Sequence, residues 1–238
     1  MNDRTALVTG ANKGIGKHIA RLLAAEGFTV YVGARDPGRG QRAVEEIGAG
    51  ARLLVLDVRD PDGIAKAAAQ VDRLDVLVNN AGISPSLAPP TATDVEEFRG
   101  TYETNVFGVV AVTNAFLPAL RRSPHPRIVN ISSGTASLTW STNPNPQFTP
   151  GSGGAAAYRS SKAAVNALTV LYAQTLAEEG FKVNALAPGL RATDLNPRAA
   201  AAGGDPAEAG RGALRLALLP DDGPSGGFFS WDGTPAPW

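Results

Sequence analysis

The stretch Thr9-Gly10-Ala11-Asn12-Lys13-Gly14-Ile15-Gly16 decides the fold, because it joins an apolar run to an amphipathic helix. The run that leads into it, residues 5–9, is short and apolar, which is typical of a buried strand. The segment that follows, residues 15–26, repeats large apolar residues at helical spacing. A strand that ends in a glycine-rich turn and opens a helix is the repeating unit of α/β sheets.

The three glycines of this turn have different predicted tasks. Gly10 allows the sharp turn off the strand, Gly14 lets the backbone approach a pyrophosphate without a Cβ clash, and Gly16 lets the helix pack close to the sheet. The free N–H groups and the positive end of the helix dipole would then face the phosphates. The alternative is a glycine-rich turn that binds no ligand. Its place between a strand and an amphipathic helix favours phosphate binding.

The rest of the chain continues the alternation of strands and helices. The predicted strands are 5–9, 28–33, 52–57, 76–79, 127–132, 182–187 and 228–230. The predicted helices are 15–26, 39–47, 63–71, 95–120, 155–179 and 206–219. The strands are continuous apolar runs, which indicates burial on both faces. The sequence therefore predicts an α/β fold: a Rossmann-type, doubly wound, parallel sheet of seven strands with helices on both faces.

Two segments interrupt this alternation. Residues 140–154 are rich in Pro and Gly and are predicted to form an irregular loop. Residues 198–212 are rich in Ala, Gly and Pro and are predicted to form a mobile loop that leads into a helix. Long loops in compact domains often serve as lids or binding loops.

Composition argues against several classes of protein. The 238 residues suit one large domain, and 43% hydrophobic with 18% charged residues is typical of a globular protein. A formal net charge of zero gives no reason to expect nucleic acid or anionic lipid as a partner. The lack of cysteine excludes thiolate chemistry, and two histidines, His18 and His125, argue against a metal site. Without an apolar leader or membrane-length run, a cytoplasmic location is expected.

The spacing T-G-x-x-x-G-x-G differs from the commoner G-x-G-x-x-G and resembles the short-chain dehydrogenase/reductase family. The resemblance extends over nearly the whole chain. It implies one domain over residues 1–238, in which 1–130 mainly bind the cofactor and 131–238 mainly supply catalytic and substrate-binding residues.

Residues after the second predicted strand bear on the choice of dinucleotide. NAD-binding folds place an acidic residue about twenty positions beyond the glycines. Alignment with the family puts Ala34 at that position, and Arg35 follows it. Arg35, Lys13 and Arg39 could together hold a 2′-phosphate. These cations favour NADP(H), whereas Asp36 leaves NAD(H) as the alternative, and each cation alone also suits a solvated surface.

Further motifs match the family's cofactor-binding positions. Asp57 and Val58 resemble its adenine contact, although Asp57 also suits a helix N-cap region. Asn79-Asn80-Ala81-Gly82 matches the family's N-N-A-G. Pro188-Gly189 with Thr193 matches its P-G-x-x-x-T, and this second motif would contact the nicotinamide carboxamide. Pro188-Gly189 alone also suits a β-turn. The implied cofactor site consists of Gly10, Asn12, Lys13, Gly14, Ile15, Gly16, Arg35, Arg39, Asp57, Val58, Asn80, Ala81, Gly82, Asn105, Tyr158, Lys162, Pro188, Gly189 and Thr193.

The pair Tyr158 and Lys162 carries the predicted chemistry. Positions four apart on a helix share one face, so the phenol and the ammonium can point into one pocket. A free phenol has a pKa near 10, and a close positive charge typically lowers such a pKa by about 1–3 units. The pair is therefore expected to act as a tuned acid and base. The alternative is an exposed Tyr and Lys on a helix surface.

Two more residues complete the catalytic set that the resemblance implies. Ser133 corresponds to the family's catalytic serine and would hydrogen-bond the substrate oxygen, with Ser132 as the alternative. Asn105 matches N-x-x-G and would hold a water that passes protons through Lys162. The implied reaction transfers a hydride between nicotinamide and a carbonyl carbon while Tyr158 protonates the oxygen.

The interval between Ser133 and Tyr158 is 25 positions, longer than in most of the family. The extra length lies in 134–154 and resembles the insertion of the family's carbonyl reductases, as do Leu216-Ala217-Leu218-Leu219-Pro220 and the final Trp238. Those reductases are monomers, but their insertion is longer. A monomer is therefore favoured, with a homodimer as the alternative.

The predicted substrate is a small apolar ketone or aldehyde, or the corresponding alcohol. Its pocket walls would come from 84–91, 134–150 and the substrate loop 190–212, and would include Leu138, Trp140 and Phe148. The use of NADP(H) favours reduction. Three other functions are alternatives: a catalytically idle dinucleotide-binding sensor, a sugar-nucleotide epimerase or dehydratase, and a structural scaffold. The presence of the whole catalytic set favours the oxidoreductase.

Overall fold

A computed structural model describes residues 4–143, 153–193, 195 and 204–238. Seven parallel strands form one sheet, in the order β3-β2-β1-β4-β5-β6-β7. The strands are β1 Thr5–Thr9, β2 Thr29–Ala34, β3 Ala51–Val55, β4 Val76–Asn79, β5 Arg127–Ile131, β6 Lys182–Ala187 and β7 Phe228–Ser230. The predicted fold class, a doubly wound sheet of seven strands in a single domain, is confirmed.

Helices connect the strands. They are α1 Gly14–Ala25, α2 Pro37–Ile47, α3 Pro61–Ala68, α4 Val95–Tyr102, α5 Gly108–Leu120, α6 Leu138–Thr142, α7 Ala156–Thr175 and α8 Pro206–Ala217. Short 3-10 turns lie at Pro90–Ala92, Gly134–Ala136 and Ala177–Glu179.

Neighbouring residues of the central strands supply two separate cores. Val8 belongs to a cluster on the face covered by α1 and α8, with Leu23 and Ala213. Leu7 belongs to a cluster on the opposite face, with Leu77 and Phe116. Because successive strand residues point to opposite faces, both faces of the sheet are covered. This double burial explains why the strands appear in the sequence as unbroken apolar runs.

The strand order reverses between β1 and β4, which are direct neighbours in the sheet. In open α/β sheets, ligands bind at the carboxyl ends of the strands where the order reverses. The turn after β1 and the segment after β4 therefore meet at the place where a ligand is expected.

The predicted single helix 95–120 is wrong at its centre. A π turn over Glu103–Phe107 separates α4 from α5, and the backbone N–H of Gly108 donates to Glu103 O. Gly108 also lies against Val58, so that a Cβ at Gly108 would come within 2.9 Å of Val58 Cγ2. Periodicity did not reveal the turn, because the residues on both sides are apolar enough to continue a helix. Such turns are frequent at functional sites.

Both predicted loops are partly helical. Residues 140–142 belong to α6, because the Ser137 hydroxyl accepts a hydrogen bond from Trp140 N at 3.0 Å and caps the helix. Residues 206–212 belong to α8, which Asp205 caps in the same way. Within these two loops, residues 144–152, which include Phe148, and residues 198–203 lie outside the described residues.

Candidate active site

The glycine turn after β1 has the backbone that its sequence predicts. Gly10 and Gly14 have φ angles of +63° and +54°, in the left-handed region that favours glycine. A Cβ at Gly16 would lie 2.4 Å from Asn80 Nδ2 and 2.7 Å from Gly10 O. These contacts leave no room for a side chain, so α1 begins directly against the sheet.

The segment after β4 supports this turn from the other side of the switch point. The Asn80 side chain donates to Thr9 O at 2.9 Å and to Gly10 O at 3.2 Å. The backbone N–H groups of Asn80 and Ala81 both donate to Thr9 Oγ1, at 2.9 and 3.0 Å. The N-N-A-G motif therefore fixes the glycine turn rather than merely lying beside it.

Lys162 is buried at the centre of the site, with 4% of its surface exposed. Its Nζ donates to Ile131 O at 2.7 Å and lies 5.9 Å from the centre of the Tyr158 ring. Gly82 leaves space for it, since a Cβ there would lie 3.4 Å from Lys162 Nζ. Burial lowers the pKa of Lys162 to about 8, because a charged ammonium loses solvation in the interior.

Tyr158 has the opposite shift from the one predicted. Burial raises the pKa of its phenol, and hydrogen bonding with Ser133 lowers it to a smaller extent. The expectation that Lys162 lowers this pKa is wrong for the structure as described. The ammonium is directed at Ile131 O, and desolvation disfavours the phenolate. Tyr158 is therefore held in its protonated form at neutral pH.

The two serines after β5 have different surroundings. Ser132 is buried and donates to Asn166 Oδ1 at 2.6 Å, which ties β5 to α7. Ser133 instead interacts with Tyr158 and lies 2.9 Å, Oγ to Oγ1, from Thr135. The geometry thus favours Ser133 over Ser132 as the residue that meets a substrate oxygen.

Asn105 is fully buried in the π turn and joins the segment after β4 to the Tyr158 helix. Its Oδ1 accepts from Ile83 N at 2.8 Å, and its Nδ2 donates to Ile83 O at 3.0 Å and to Ser161 Oγ at 2.9 Å. Ser161 Oγ in turn donates to Tyr158 O at 2.7 Å. Both amide protons are used, so a water held by Asn105 would bond to an oxygen of that residue. The water stays a prediction.

A polar pocket of about 250 Å³ lies beside the glycine turn. Its lining residues are Asn12, Lys13, Arg39, Arg42, Ala43 and Glu46. The structure thus brings together the predicted Lys13 and Arg39 and adds Arg42, which sequence reasoning missed. The three-residue spacing of Arg39 and Arg42 on α2 was the available signal, because such positions share a helix face.

Asp36 is the N-cap of α2 and accepts from Arg39 N at 2.8 Å. This backbone hydrogen bond is the main reason that the pKa of Asp36 is lowered. The carboxylate that left NAD(H) open is therefore engaged in capping a helix. Arg35, one residue earlier, is exposed at the end of β2, while Ala34 is buried.

Asp57 lies in the turn between β3 and α3, where its Oδ1 accepts from Arg59 N at 3.0 Å. The N-cap of α3 is Asp60, so Asp57 does not cap that helix. The adenine contacts of Asp57 and Val58 stay predictions, as does the cofactor contact of the partly buried Ile15.

The segment after β6 reaches back over the glycine turn. Thr193 Cγ2 lies 3.5 Å from the position that a Cβ of Gly14 would take. Arg191, which is buried, fixes this segment: its Nε donates to Pro188 O at 2.7 Å and its Nη1 pairs with Glu208 Oε2 at 2.6 Å. Sequence reasoning missed Arg191, because its partner Glu208 approaches only through the packing of α8.

The described ranges lack two kinds of feature. No three His, Asp or Glu side chains there are grouped so that they could hold a metal ion. In the same part of the chain, no helix combines the length and apolar character needed to cross a membrane.

The chain is similar to known proteins over most of its length. Residues 4–202 match the family model described as short chain dehydrogenase. The chain is 36% identical over 200 residues to the short-chain dehydrogenase anuI of Penicillium roqueforti, covering 79% of each chain. It is 32% identical over 295 aligned positions to salutaridine reductase of Papaver bracteatum, covering 95% of this chain and 94% of the relative. The crystal structure of NADPH-bound carbonyl reductase from chicken fatty liver matches with a TM-score of 0.85 at 30% identity, covering 100% of both chains.

Proposed function

The chain belongs to the short-chain dehydrogenase family, and from that premise we propose that it is an NADP(H)-dependent oxidoreductase that reduces a ketone or aldehyde to the alcohol. One observation carries this proposal. The Ser133 hydroxyl interacts with the Tyr158 phenol, and the buried Lys162 lies one helical turn further along the same helix. In open α/β sheets, ligands bind at the carboxyl ends of the strands, and Ser133 lies at the carboxyl end of β5.

The residues around the glycine turn fit a nicotinamide dinucleotide. Gly14 and Gly16 add no side chains at the start of α1, and Thr193 Cγ2 lies over Gly14. A helix start of this kind attracts phosphate through its N–H groups and dipole. Val58, Asn80, Gly82, Pro188 and Gly189 would complete the contacts. When bound, the cofactor supplies the hydride that the protein cannot.

The protein's own residues handle the oxygen and its proton. Ser133 would donate a hydrogen bond to the carbonyl oxygen, and Tyr158 would give its phenolic proton to the same oxygen as the hydride arrives at carbon. Burial keeps the phenol of Tyr158 protonated at neutral pH, so that it has a proton to give. Lys162, with a pKa of about 8, could return a proton to the phenolate.

Exposed apolar side chains near the site support an apolar substrate. Leu87, Leu138 and Leu190 lie in the segments after β4, β5 and β6, and each exposes about half or more of its surface. Trp140, two residues after Leu138, packs against Phe228, with the ring centres 6.5 Å apart. Large apolar side chains left in the open around a cleft are typical of a ligand-binding surface.

We expect the pocket beside the glycine turn to hold the 2′-phosphate of NADP(H). Lys13, Arg39 and Arg42 supply positive charge, while the negative charge of Glu46 is offset by Lys17 at 2.6 Å. Replacing Arg39 or Arg42 by Ala should raise KM for NADPH about 10-fold or more and leave KM for NADH nearly unchanged, since each loses a charge-assisted hydrogen bond. Arg35→Asp should likewise raise KM for NADPH relative to KM for NADH. Steady-state kinetics with both cofactors measures the change.

The matched control for these variants is Arg99→Ala. Arg99 is exposed on α4 and pairs with Glu96, so its loss removes the same charge without touching the pocket. If the ratio of KM for NADPH to KM for NADH is the same in Arg35→Asp, Arg39→Ala and the parent protein, the phosphate site lies elsewhere.

The function itself is tested by NADPH oxidation with a panel of ketones, aldehydes and quinones. Turnover of apolar carbonyl compounds is the expected result. Tight binding of NADPH without turnover of any of them would instead favour the alternative, a catalytically idle dinucleotide-binding sensor.

The oligomeric state and the location stay predictions from the sequence: a monomer, with a homodimer as the alternative, in the cytoplasm.

A further inference from the structure

The Ser133 hydroxyl is surrounded by more groups than catalysis requires. Ser133 precedes the 3-10 turn Gly134–Ala136, and Thr135 lies in the middle of that turn. Thr135 N donates to Ser133 Oγ at 3.2 Å, and the two side-chain oxygens are 2.9 Å apart. The backbone of Thr135 is itself fixed, because Arg159 Nε donates to Thr135 O at 3.4 Å. Arg159 follows Tyr158 directly, so the turn and the catalytic helix are tied together.

The number of protons decides which way these bonds run. A serine hydroxyl has one proton to donate and two lone pairs to accept with. The Thr135 N–H takes one lone pair of Ser133. If the Thr135 hydroxyl donates to the second lone pair, the serine proton can only point toward Tyr158 or a substrate oxygen. If Ser133 donates to Thr135 instead, no proton is left for the substrate.

We propose that Thr135 is a positioning residue whose amide and hydroxyl together direct the proton of Ser133 at the reacting oxygen. This rests on the proposed function, in which Ser133 donates to that oxygen. The Thr135 side chain itself does not touch the substrate in this arrangement. Its effect on the reaction passes through Ser133 alone.

The first test compares Thr135→Val with Thr135→Ser. Valine has nearly the same shape and keeps the amide N–H but lacks the hydroxyl, whereas serine keeps both donors. We expect kcat for carbonyl reduction to fall about 10-fold in Thr135→Val, the effect of one lost neutral hydrogen bond, with KM for NADPH unchanged. Thr135→Ser should restore kcat to within about twofold of the parent protein. Thr135→Ala serves in place of the valine variant if that one does not fold.

The matched control is Thr175→Val, the same chemical change at the far end of α7. The Thr175 hydroxyl donates to Leu171 O at 2.8 Å, within its own helix, and is exposed. Its loss should leave kcat unchanged. An equal fall in both valine variants would overturn the proposal, because it would show that loss of any threonine hydroxyl from the protein lowers kcat.

The second test is a double-mutant cycle with Ser133→Ala. If Thr135 acts only through Ser133, Thr135→Val should cause no further fall in kcat once the serine hydroxyl is gone. A further fall of the same size in the Ser133→Ala background would overturn the proposal. So would an unchanged kcat in Thr135→Val, provided that the parent protein reduces carbonyl compounds. A parent protein without any turnover would overturn the proposed function instead.

The pH profile gives a reading that a purely structural role would not move. In alcohol oxidation Tyr158 must lose its proton, and the hydrogen bond from Ser133 helps it to do so by lowering its pKa. Among the residues that the structure describes, the charged groups near the phenol are Lys162, 5.9 Å from the ring centre, and Arg159, whose guanidinium donates to Thr135 O and Ser141 Oγ. With both unchanged, the limb of kcat/KM that reports Tyr158 should move to higher pH in Thr135→Val. A limb at the same pH would contradict the proposal.

Discussion

Replacing Tyr158 by Phe is expected to lower kcat about 10³-fold, because it removes the proton donor while keeping the aromatic ring. Affinity for NADPH should stay within about twofold, since one hydroxyl of the site contributes little to holding a dinucleotide. Burial keeps the phenol protonated at neutral pH, and no other described acid interacts with Ser133 in its place. Single-turnover kinetics measures the first quantity, and quenching of tryptophan fluorescence on NADPH addition measures the second.

Tyr172→Phe is the control for this variant. Tyr172 lies further along the same helix, and its hydroxyl donates to Asn114 Oδ1 at 2.8 Å, away from the site. Its loss should cost about 1 kcal/mol of unfolding free energy or less and leave kcat unchanged. Near-normal turnover in Tyr158→Phe would show that another group protonates the oxygen, and the assignment of Tyr158 would then be wrong.

Replacing Lys162 by Met is expected to inactivate the protein and to make it more stable. Turnover should fall about 10²-fold or more, because the phenolate formed at Tyr158 loses the group that would return its proton. At pH 7 the free energy of unfolding should rise by about 2 kcal/mol. That figure is the cost of burying a charge whose pKa falls from 10.5 to about 8, reduced by the lost bond to Ile131 O. Sites that serve chemistry commonly lower stability in this way.

The stability gain of Lys162→Met should depend on pH in a defined direction. Below pH 8 Lys162 is charged in both the folded and the unfolded protein, so the whole cost of its burial is present. Between pH 8 and 10.5 the folded protein gives up the proton while the unfolded chain keeps it, so the parent protein becomes more stable as pH rises. The advantage of the variant should therefore be largest below pH 8 and shrink toward pH 10.5. Urea denaturation at pH 7 and pH 9.5 measures it; a variant less stable than the parent at pH 7 would contradict it.

The sheet could be predicted from the sequence because its physical causes are local. Leu7 and Val8 face different cores, so the strand that contains them appears as an unbroken apolar run. The glycine turn was predictable for a similar reason: Gly10 and Gly14 need left-handed backbone, and Gly16 needs close packing. Each of these demands concerns a residue and its immediate surroundings.

The electrostatics of the site could not be predicted in the same way. The pKa of Tyr158 depends on how much protein surrounds the phenol and on where Lys162 directs its charge. Neither is visible in a four-residue spacing. Arg191 is a similar case, since its ion pair with Glu208 bridges 17 positions of sequence through the packing of α8. Long-range packing decides such groups, and a single sequence carries no trace of it.

The π turn at Glu103–Phe107 changes the phase of a long helix. Each residue of an α-helix turns the chain by about 100°, so one extra residue rotates everything beyond it by about that angle. The segment before the turn, α4, packs against α7, and the segment beyond it, α5, packs against α3 and β4. A continuous α-helix over both segments would have one apolar face, which could pack against only one of these two sets of neighbours. The extra residue of the π turn therefore lets α4 and α5 each face their own neighbours, and Asn105 lies within that turn.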